Sequence, residues 1–125
     1  MAITTGIIDE NLRAVVRIEL RNGLQSVTVD AVIDTGFDGA IALGTSLMAR
    51  LGLVKTVKET RQLADGSIVE VGICLARVVW QGAERIVKFE EGADSEVLLG
   101  MALLADNRVT LEVRYNHAVT IEELP

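Results

Sequence analysis

The chain has 125 residues, of which 18 are acidic and 12 basic, and its formal net charge of −6 disfavours a nucleic-acid partner because phosphate backbones bind basic surfaces. Half of the residues are hydrophobic and only 3% are aromatic, which favours one domain, spanning residues 1–125, with an aliphatic β-core. Cys74 is the only cysteine, so an intrachain disulfide and a cysteine metal cluster are excluded, and we expect a cytoplasmic location. The sequence shows neither an apolar run of membrane-spanning length nor a secretory leader, so we expect no membrane partner.

In the first half of the chain, alternation of apolar and polar residues predicts a strand from residue 16 to residue 20. Asn22-Gly23 then predicts a hairpin with a type I′ turn, because both residues tolerate positive φ. The returning strand, residues 27–33, is followed by a short buried strand at residues 41–43. Residues 45–53 have the apolar spacing of a short helix that ends near Gly52.

The second half predicts further hairpins and one more helix. Residues 57–63 and 68–73 flank Asp65-Gly66, a typical hairpin turn. The later segments follow in order: strands at 75–80 and 86–89, a solvated acidic loop at 90–96, an apolar strand that runs into Gly100 and a short helical segment up to Leu104, and strands at 109–113 and 118–121. The pattern is that of a mainly β domain with a barrel-like or sandwich arrangement.

Asp34 stands at the end of an apolar strand and is followed by Thr35 and Gly36. An isolated carboxylate loses its hydration when it is buried, so an Asp at the end of a core strand is either paired or placed there for chemistry. The alternative is an ordinary turn, since Asp, Thr and Gly are all common turn residues.

Asp34-Thr35-Gly36 after an apolar strand, followed much later by Leu98-Leu99-Gly100 and a short helical segment, resembles the retropepsin-like aspartic proteases. The resemblance is closest to the single-domain bacterial members, and it also covers the helix-like residues 45–53. It implies a closed β-barrel of the acid-protease (retropepsin) type with one or two short helices. The hairpin at residues 57–73 lies where that family keeps its flap; from the sequence alone an ordinary surface hairpin is an equal alternative.

The resemblance also implies roles for individual residues. Asp34 is the candidate catalytic residue, supported by Thr35, Gly36 and Gly100; the candidate substrate-binding residues are Phe37, Asp38, Gly39, Asp65 and Gly66. Two residues depart from the family pattern. Phe37 replaces a residue that is usually small, and Met101 stands where viral retropepsins carry an arginine that ties their dimer together. Strand-like segments near residues 7–12 and 119–124 are the candidate dimer contacts by the same analogy.

Peptide hydrolysis by carboxylates needs one group to activate water and another to donate a proton, and two close carboxylates share one proton to do both. The chain has a single Asp-Thr-Gly, so this chemistry requires a homodimer with Asp34 from each subunit. We therefore expect a homodimeric aspartic endopeptidase acting on polypeptide substrates, with no metal or organic cofactor. The alternatives are a non-catalytic retropepsin-fold domain that dimerises or binds peptides, and a small β-domain in which Asp34 merely forms a turn. A Ser-His or Cys-His enzyme is disfavoured because His117, the only histidine, has no evident partner.

Overall fold

The structure is a computed structural model that describes residues 2–93 and 95–125. It is mainly β, with two short helices, as the sequence predicts. The elements in chain order are β1 Ile3–Ile8, β2 Ala14–Asn22, β3 Gln25–Ile33, β4 Ile41–Leu43, α1 Thr45–Arg50, β5 Val57–Gln62, β6 Ile68–Trp80, β7 Ala83–Glu91, β8 Val97–Leu99, α2 Met101–Leu104, β9 Asn107–Leu111 and β10 Ala118–Glu123.

Six of the strands close into a barrel. Neighbouring strands run in the order β6, β7, β4, β8, β3, β2, and an antiparallel pairing of Glu19–Arg21 with Arg77–Val79 joins β2 back to β6. Strand β5 extends the sheet beyond β6, while β1, β10 and β9 extend it beyond β2. The predicted closed barrel is therefore confirmed.

The barrel interior is filled by alternate side chains of its strands. In β2, Val16, Ile18 and Leu20 are buried, and this alternation is what the sequence predicted for residues 16–20. Phe89 of β7 is fully buried, and Trp80 of β6, with 2% of its surface exposed, also belongs to the core. Burying one side chain of this kind stabilises the fold by about 1.5–3 kcal/mol, so the mostly aliphatic interior is a main source of the barrel's stability.

Two predictions for the first half of the chain differ from the structure. The β2–β3 hairpin forms, but Asn22 pairs with Gln25, so the two central turn residues are Gly23 and Leu24. Gly23 has a φ of +59° and Leu24 does not have a positive φ, which rules out the type I′ turn. The first strand is Ile3–Ile8 and not residues 7–12, and it contains Gly6, where a Cβ would lie 2.1 Å from the carbonyl oxygen of Val15.

The two helices contain six and four residues. Within residues 2–93 and 95–125, no helix has the length and apolar character needed to cross a membrane.

Candidate active site

Asp34 lies at the junction of two parallel strands in the barrel. Strand β3 pairs in parallel with β8, with Ile33 opposite Leu99, and Asp34 follows directly. The backbone nitrogen of Asp34 donates a hydrogen bond to the carbonyl oxygen of Leu99 at 2.9 Å. Each of the two sequence motifs thus supplies one of the two strands that end side by side, which explains why an apolar segment precedes both.

The carboxylate of Asp34 is oriented by the turn that follows it. The backbone nitrogen of Gly36 donates to Asp34 Oδ1 at 2.9 Å, and the backbone nitrogen of Phe37 donates to the Asp34 carbonyl oxygen at 3.1 Å. A Cβ at Gly36 would lie 3.3 Å from Oδ1, tighter than an ordinary contact. Asp34 itself is half-buried, whereas Thr35 is exposed.

Residues 34–40, which we call the Asp34 loop, are also held by the start of α2. The backbone nitrogens of Met101 and Ala102 donate to the carbonyl oxygens of Phe37 and Gly39, at 2.8 and 3.1 Å. A Cβ at Gly100 would lie 2.2 Å from the Gly39 carbonyl oxygen, so only glycine permits this approach. The loop is consequently fixed by backbone contacts on both sides of Gly100.

A cleft of about 820 Å³ opens above the Asp34 loop. Asp34, Gly36, Phe37, Asp38 and Gly39 all line it, so the structure brings five of the sequence-predicted site residues together. The other lining residues are Ala40, Arg61, Gln62, Leu63, Val69, Val71, Val87, Lys88, Glu90, Leu98 and Ala102. Several of these are aliphatic, which gives the cleft apolar walls around a carboxylate floor. Thr35, Gly100, Asp65 and Gly66 do not line it.

The hairpin of β5 and the first part of β6 forms one wall of this cleft. Its strands pair from Val57 opposite Ile73 to Gln62 opposite Ile68. At the tip, Asp65 Oδ1 accepts hydrogen bonds from the backbone nitrogen and Oγ of Ser67, at 2.9 and 2.6 Å, and these bonds lower the pKa of Asp65 below its ordinary value. Gly66 has a φ of +87°. Asp65 and Gly66 therefore shape the tip of the hairpin, and the cleft wall comes from residues lower on its strands.

Four charged side chains connect the hairpin to the barrel, and we call them the hairpin ion cluster: Glu59, Arg61, Lys88 and Glu90. Arg61 Nη2 donates to Glu90 Oε1 and, at 2.8 Å, to Glu59 Oε2; Lys88 Nζ donates to Glu59 Oε1 at 2.9 Å. The Glu90 carboxylate raises the pKa of Arg61, with a smaller contribution from Glu59. Lys88 and then Arg61 lower the pKa of Glu59. The cluster thus joins β5 to β7 across the intervening strand.

Glu90 corrects the sequence-based prediction for residues 90–96. It belongs to β7 instead of a solvated loop, and among the residues that the structure describes it is the only polar or charged residue classed as buried, with 5% of its surface exposed. Asp94, within the same predicted loop, lies outside the described residues. A buried carboxylate requires a partner, and the partner of Glu90 is Arg61, on a hairpin some thirty residues earlier in the chain. The local pattern of apolar and polar residues cannot reveal such a distant contact.

Among the residues that the structure describes, no group of three or more His, Cys, Asp or Glu side chains is placed to hold a metal ion. His117 lies outside the cleft, with Nδ1 3.3 Å from Glu112 Oε2 on an exposed loop.

Comparison with known proteins gives a structural likeness only. No family model and no curated protein matches the sequence. The fold is similar to that of a solved structure, a retropepsin-like aspartic protease from Rickettsia conorii, with a TM-score of 0.72 over 97% of this chain and 90% of that one. The two sequences are 19% identical. The likeness confirms the predicted retropepsin-type fold, and the roles of the individual site residues stay predictions.

Proposed function

We propose that this chain is one subunit of a homodimeric aspartic endopeptidase in which Asp34 of each subunit contributes one carboxylate of a water-activating pair. The observation that carries the proposal is the position of Asp34. Its carboxylate is half-buried on a loop braced by β8 and α2, at the floor of a cleft with apolar walls. A rigid carboxylate beside a cleft of this size suits chemistry on an extended peptide better than a simple turn does.

In this mechanism the two Asp34 carboxyl groups share one proton, because ionising both at hydrogen-bond distance from each other costs too much electrostatic free energy. The ionised oxygen takes a proton from a water molecule, which attacks the carbonyl carbon of the scissile peptide bond. The protonated carboxyl donates to the carbonyl oxygen as negative charge develops there. As the carbon–nitrogen bond breaks, the proton taken from water passes to the leaving nitrogen. The hydroxyl of the tetrahedral intermediate returns its proton to the other carboxylate as the carbonyl re-forms, and the pair is back in its starting state.

The neighbouring residues hold and extend this site. Gly36 orients Asp34 through its backbone nitrogen and leaves room for a second carboxylate, since it has no Cβ. Gly100 allows α2 to brace the loop. Thr35, exposed beside Asp34, is the supporting residue that faces the second subunit in the proposed dimer. Asp38 and Gly39 present polar atoms to the peptide backbone, while Phe37 contributes an apolar surface.

The hairpin of β5 and β6 acts as the flap in this proposal. It forms one wall of the cleft, and its tip, at Asp65 and Gly66, is the part that would reach over a bound peptide. A bound peptide in extended form could then use backbone hydrogen bonds of the hairpin as well as the side-chain surfaces of the cleft. The proposal includes the cytoplasm as the compartment, because the only cysteine is a free and buried thiol.

The test is cleavage of a mixed peptide library from acid to neutral pH, with cut sites read by mass spectrometry. Asp34→Asn keeps the shape of the side chain and removes the charge, so every cut made by the wild-type chain should disappear. Asp30→Asn is the matched control: Asp30 is an exposed carboxylate on β3, the strand that leads to Asp34, and it pairs with Arg17 at 3.1 Å, so its loss should leave cleavage unchanged.

Persistent cleavage by folded Asp34→Asn at the wild-type rate would remove Asp34 from the mechanism. A wild-type chain that is a folded dimer and makes no cuts at any pH would favour the alternative function, a domain that dimerises or binds peptides without cutting them.

A further inference from the structure

The hairpin ion cluster lies on the face of the sheet that forms a wall of the cleft. In the pairing of β5 with β6, Arg61 is opposite Val69 and Glu59 is opposite Val71. Directly opposite residues of antiparallel strands project from the same face, so the charged side chains of β5 share a face with these two valines. The cleft is lined by both valines and by the two cations of the cluster, Arg61 and Lys88. A peptide in the cleft therefore meets charged groups beside an apolar strip of β6.

The two cations are the more exposed members of the cluster. The side chains of Arg61 and Lys88 are 36% and 58% exposed, whereas those of Glu59 and Glu90 are 30% and 7% exposed. Glu59 does not line the cleft, and the Glu90 carboxylate accepts a hydrogen bond from Arg61. The four formal charges cancel, but the part of the cluster that a peptide would meet is mainly cationic.

The spacing of the two cations suits one carboxylate. Glu59 already bridges them: its Oε2 accepts from Arg61 Nη2 at 2.8 Å, and its Oε1 accepts from Lys88 Nζ at 2.9 Å. Lys88 and then Arg61 lower the pKa of Glu59, so the pair stabilises the ionised form of a carboxylate placed between them. An ammonium group has three N–H donors and a guanidinium group has five, which leaves the cations able to bind a carboxylate from the cleft side.

Arg61 is also close to the Asp34 loop. It donates to Glu90 Oε1, and the same oxygen would lie 3.3 Å from a Cβ at Gly39. Gly39 belongs to the Asp34 loop, so only the Glu90 carboxylate separates Arg61 from the backbone of that loop. An extended peptide advances about 3.3 Å per residue, so the peptide residue that meets the cations lies within a few positions of the bond held at Asp34.

We propose that Arg61 and Lys88 form a subsite for an acidic side chain, glutamate or aspartate, of the peptide substrate. This inference rests on the proposed function, because it assigns a substrate class to the same cleft. The substrate carboxylate takes over the hydrogen bonds that the two cations make to Glu59, while Arg61 keeps its bond to the buried Glu90. Exposed ion pairs contribute little free energy, so Glu59 can turn into water at small cost.

Glu59 is then a competitor of the substrate within the chain itself, and this gives two variants with opposite effects. Lys88→Gln removes one of the cations that bind the acidic side chain, so it weakens the preference for acidic peptides. Glu59→Gln removes the competing carboxylate, so it strengthens that preference. Both changes replace a charge by an amide in the same cluster. A role of the cluster in folding alone would not move the preference in opposite directions.

The test compares peptides that differ only in having Glu or Gln at one position. Each peptide that the wild-type chain cuts is remade with Glu and with Gln at every position around the cut site, and the readout is the ratio of the two kcat/KM values. At one position or more, the wild-type ratio should exceed one. Lys88→Gln should lower that ratio about two- to fivefold, the effect of one exposed ion pair, and Glu59→Gln should raise it.

Lys58→Gln is the matched control, with circular dichroism to verify that all variants fold. Lys58 is on the same strand as Glu59 but on the opposite face, where it meets Glu70 at 4.0 Å, and it does not line the cleft. The change in charge is the same as in Lys88→Gln. The ratio for Glu and Gln peptides should therefore stay at the wild-type value.

The outcomes separate the subsite from the enzyme. A wild-type ratio at or below one at every position overturns the subsite, and so does a shift in the same direction in Lys88→Gln and Glu59→Gln. Equal effects of Lys58→Gln and Lys88→Gln would show a general effect of charge, which also overturns it. All these results leave the Asp34 pair standing, because cleavage itself is observed.

A wild-type chain that makes no cuts overturns the proposed function without deciding the subsite. Fluorescence anisotropy then decides it, with labelled Glu and Gln peptide pairs from the library. Tighter binding of the Glu peptides, weakened in Lys88→Gln and strengthened in Glu59→Gln, supports an acidic subsite in a peptide-binding domain. Equal binding of the two peptides overturns it.

Discussion

Arg61 on the hairpin donates a hydrogen bond to Glu90, a carboxylate with only 5% of its surface exposed, and this contact ties the hairpin to the barrel at the edge of the cleft. The two residues belong to β5 and β7, which are not neighbours in the sheet. The ion pair therefore adds a side-chain contact between the hairpin and the barrel to the backbone pairing that runs through β6.

Arg61→Gln should destabilise the protein, because it leaves the buried Glu90 without its cation. We expect a loss of about 1–3 kcal/mol in the free energy of unfolding, at the low end of what breaking a buried ion pair costs, since Arg61 is partly exposed. Urea denaturation gives the value. Arg77→Gln is the control, because Arg77 meets Glu84 at 3.9 Å on an exposed face and its loss should have much less effect. Equal losses in the two variants would show that Glu90 does not depend on Arg61.

The hairpin ion cluster should weaken in acid. Lys88 and Arg61 lower the pKa of Glu59 below its ordinary value of 4.5, so the stabilisation is present above pH 4.5 and is lost as the pH falls through the folded-state pKa. Glu59→Gln should therefore lower the thermal midpoint at neutral pH, and the difference from wild type should shrink below pH 4.5. Thermal melts across this range provide the measurement; a difference that stays constant with pH would contradict the prediction.

Gly100→Ala should be strongly destabilising. The added Cβ would lie 2.2 Å from a backbone oxygen of Gly39, and backbone cannot rotate away as a side chain can. Overpacking of this kind costs about 1–3 kcal/mol or more, measurable by urea unfolding. The control is Gly92→Ala, where the nearest atom would be the Ala42 Cβ at 3.4 Å, an ordinary contact. A Gly100→Ala protein as stable as Gly92→Ala would mean that the Asp34 loop has more freedom than its hydrogen bonds indicate.

Cys74 should be unreactive in the folded protein. Its side chain is 4% exposed, and burial raises the pKa of its thiol above the ordinary value of 9.0, which keeps it neutral. The contribution of this thiol to stability is present below pH 9.0 and declines as the pH rises through the raised value. A maleimide reagent should label the protein only as fast as it unfolds, which intact mass spectrometry can follow. Rapid stoichiometric labelling without denaturant would be inconsistent with this burial.

Cleavage per chain should fall on dilution, because the proposed site needs two copies. Around the dissociation constant for the dimer, the initial rate should drop faster than in proportion to the protein concentration. Progress curves at serial dilutions, compared with sedimentation data on the same samples, provide the measurement. A rate strictly proportional to concentration through the monomer–dimer midpoint would contradict a shared site.

Local patterns predicted the parts of the fold that depend on neighbours in sequence. The short buried strand at residues 41–43 has the predicted bounds, because three consecutive apolar residues that follow a loop and end at Gly44 leave few alternatives. The hairpin around Asp65-Gly66 forms at its turn signal for the same reason. The Asp34 loop could be predicted from the sequence because Asp34 directly follows an apolar strand, and a charged residue at that position is unusual.

The parts that sequence reasoning missed depend on distant partners. Residues 3–8 were not predicted as a strand, since Gly6 weakens the pattern, and the reason for that glycine is a close contact with Val15. Arg61 and Glu90 were missed as cleft residues because their positions depend on the ion pair between them, and the two residues are far apart in the sequence. The turn at Gly23 shifted by one residue because the register of β2 with β3 decides which residues are central.

The parallel pairing of β3 with β8 joins segments made far apart in time. Synthesis proceeds from the amino terminus, so Asp34 leaves the ribosome long before Leu99 and Gly100, the residues that hold its loop. Until the chain has reached α2, the barrel cannot close and the Asp34 loop lacks the hydrogen bonds from and to β8 and α2 that brace it. A growing chain, or one truncated before residue 97, therefore carries the Asp-Thr-Gly sequence without the strand that braces it, and the proposed site cannot form until β8 and α2 have been made.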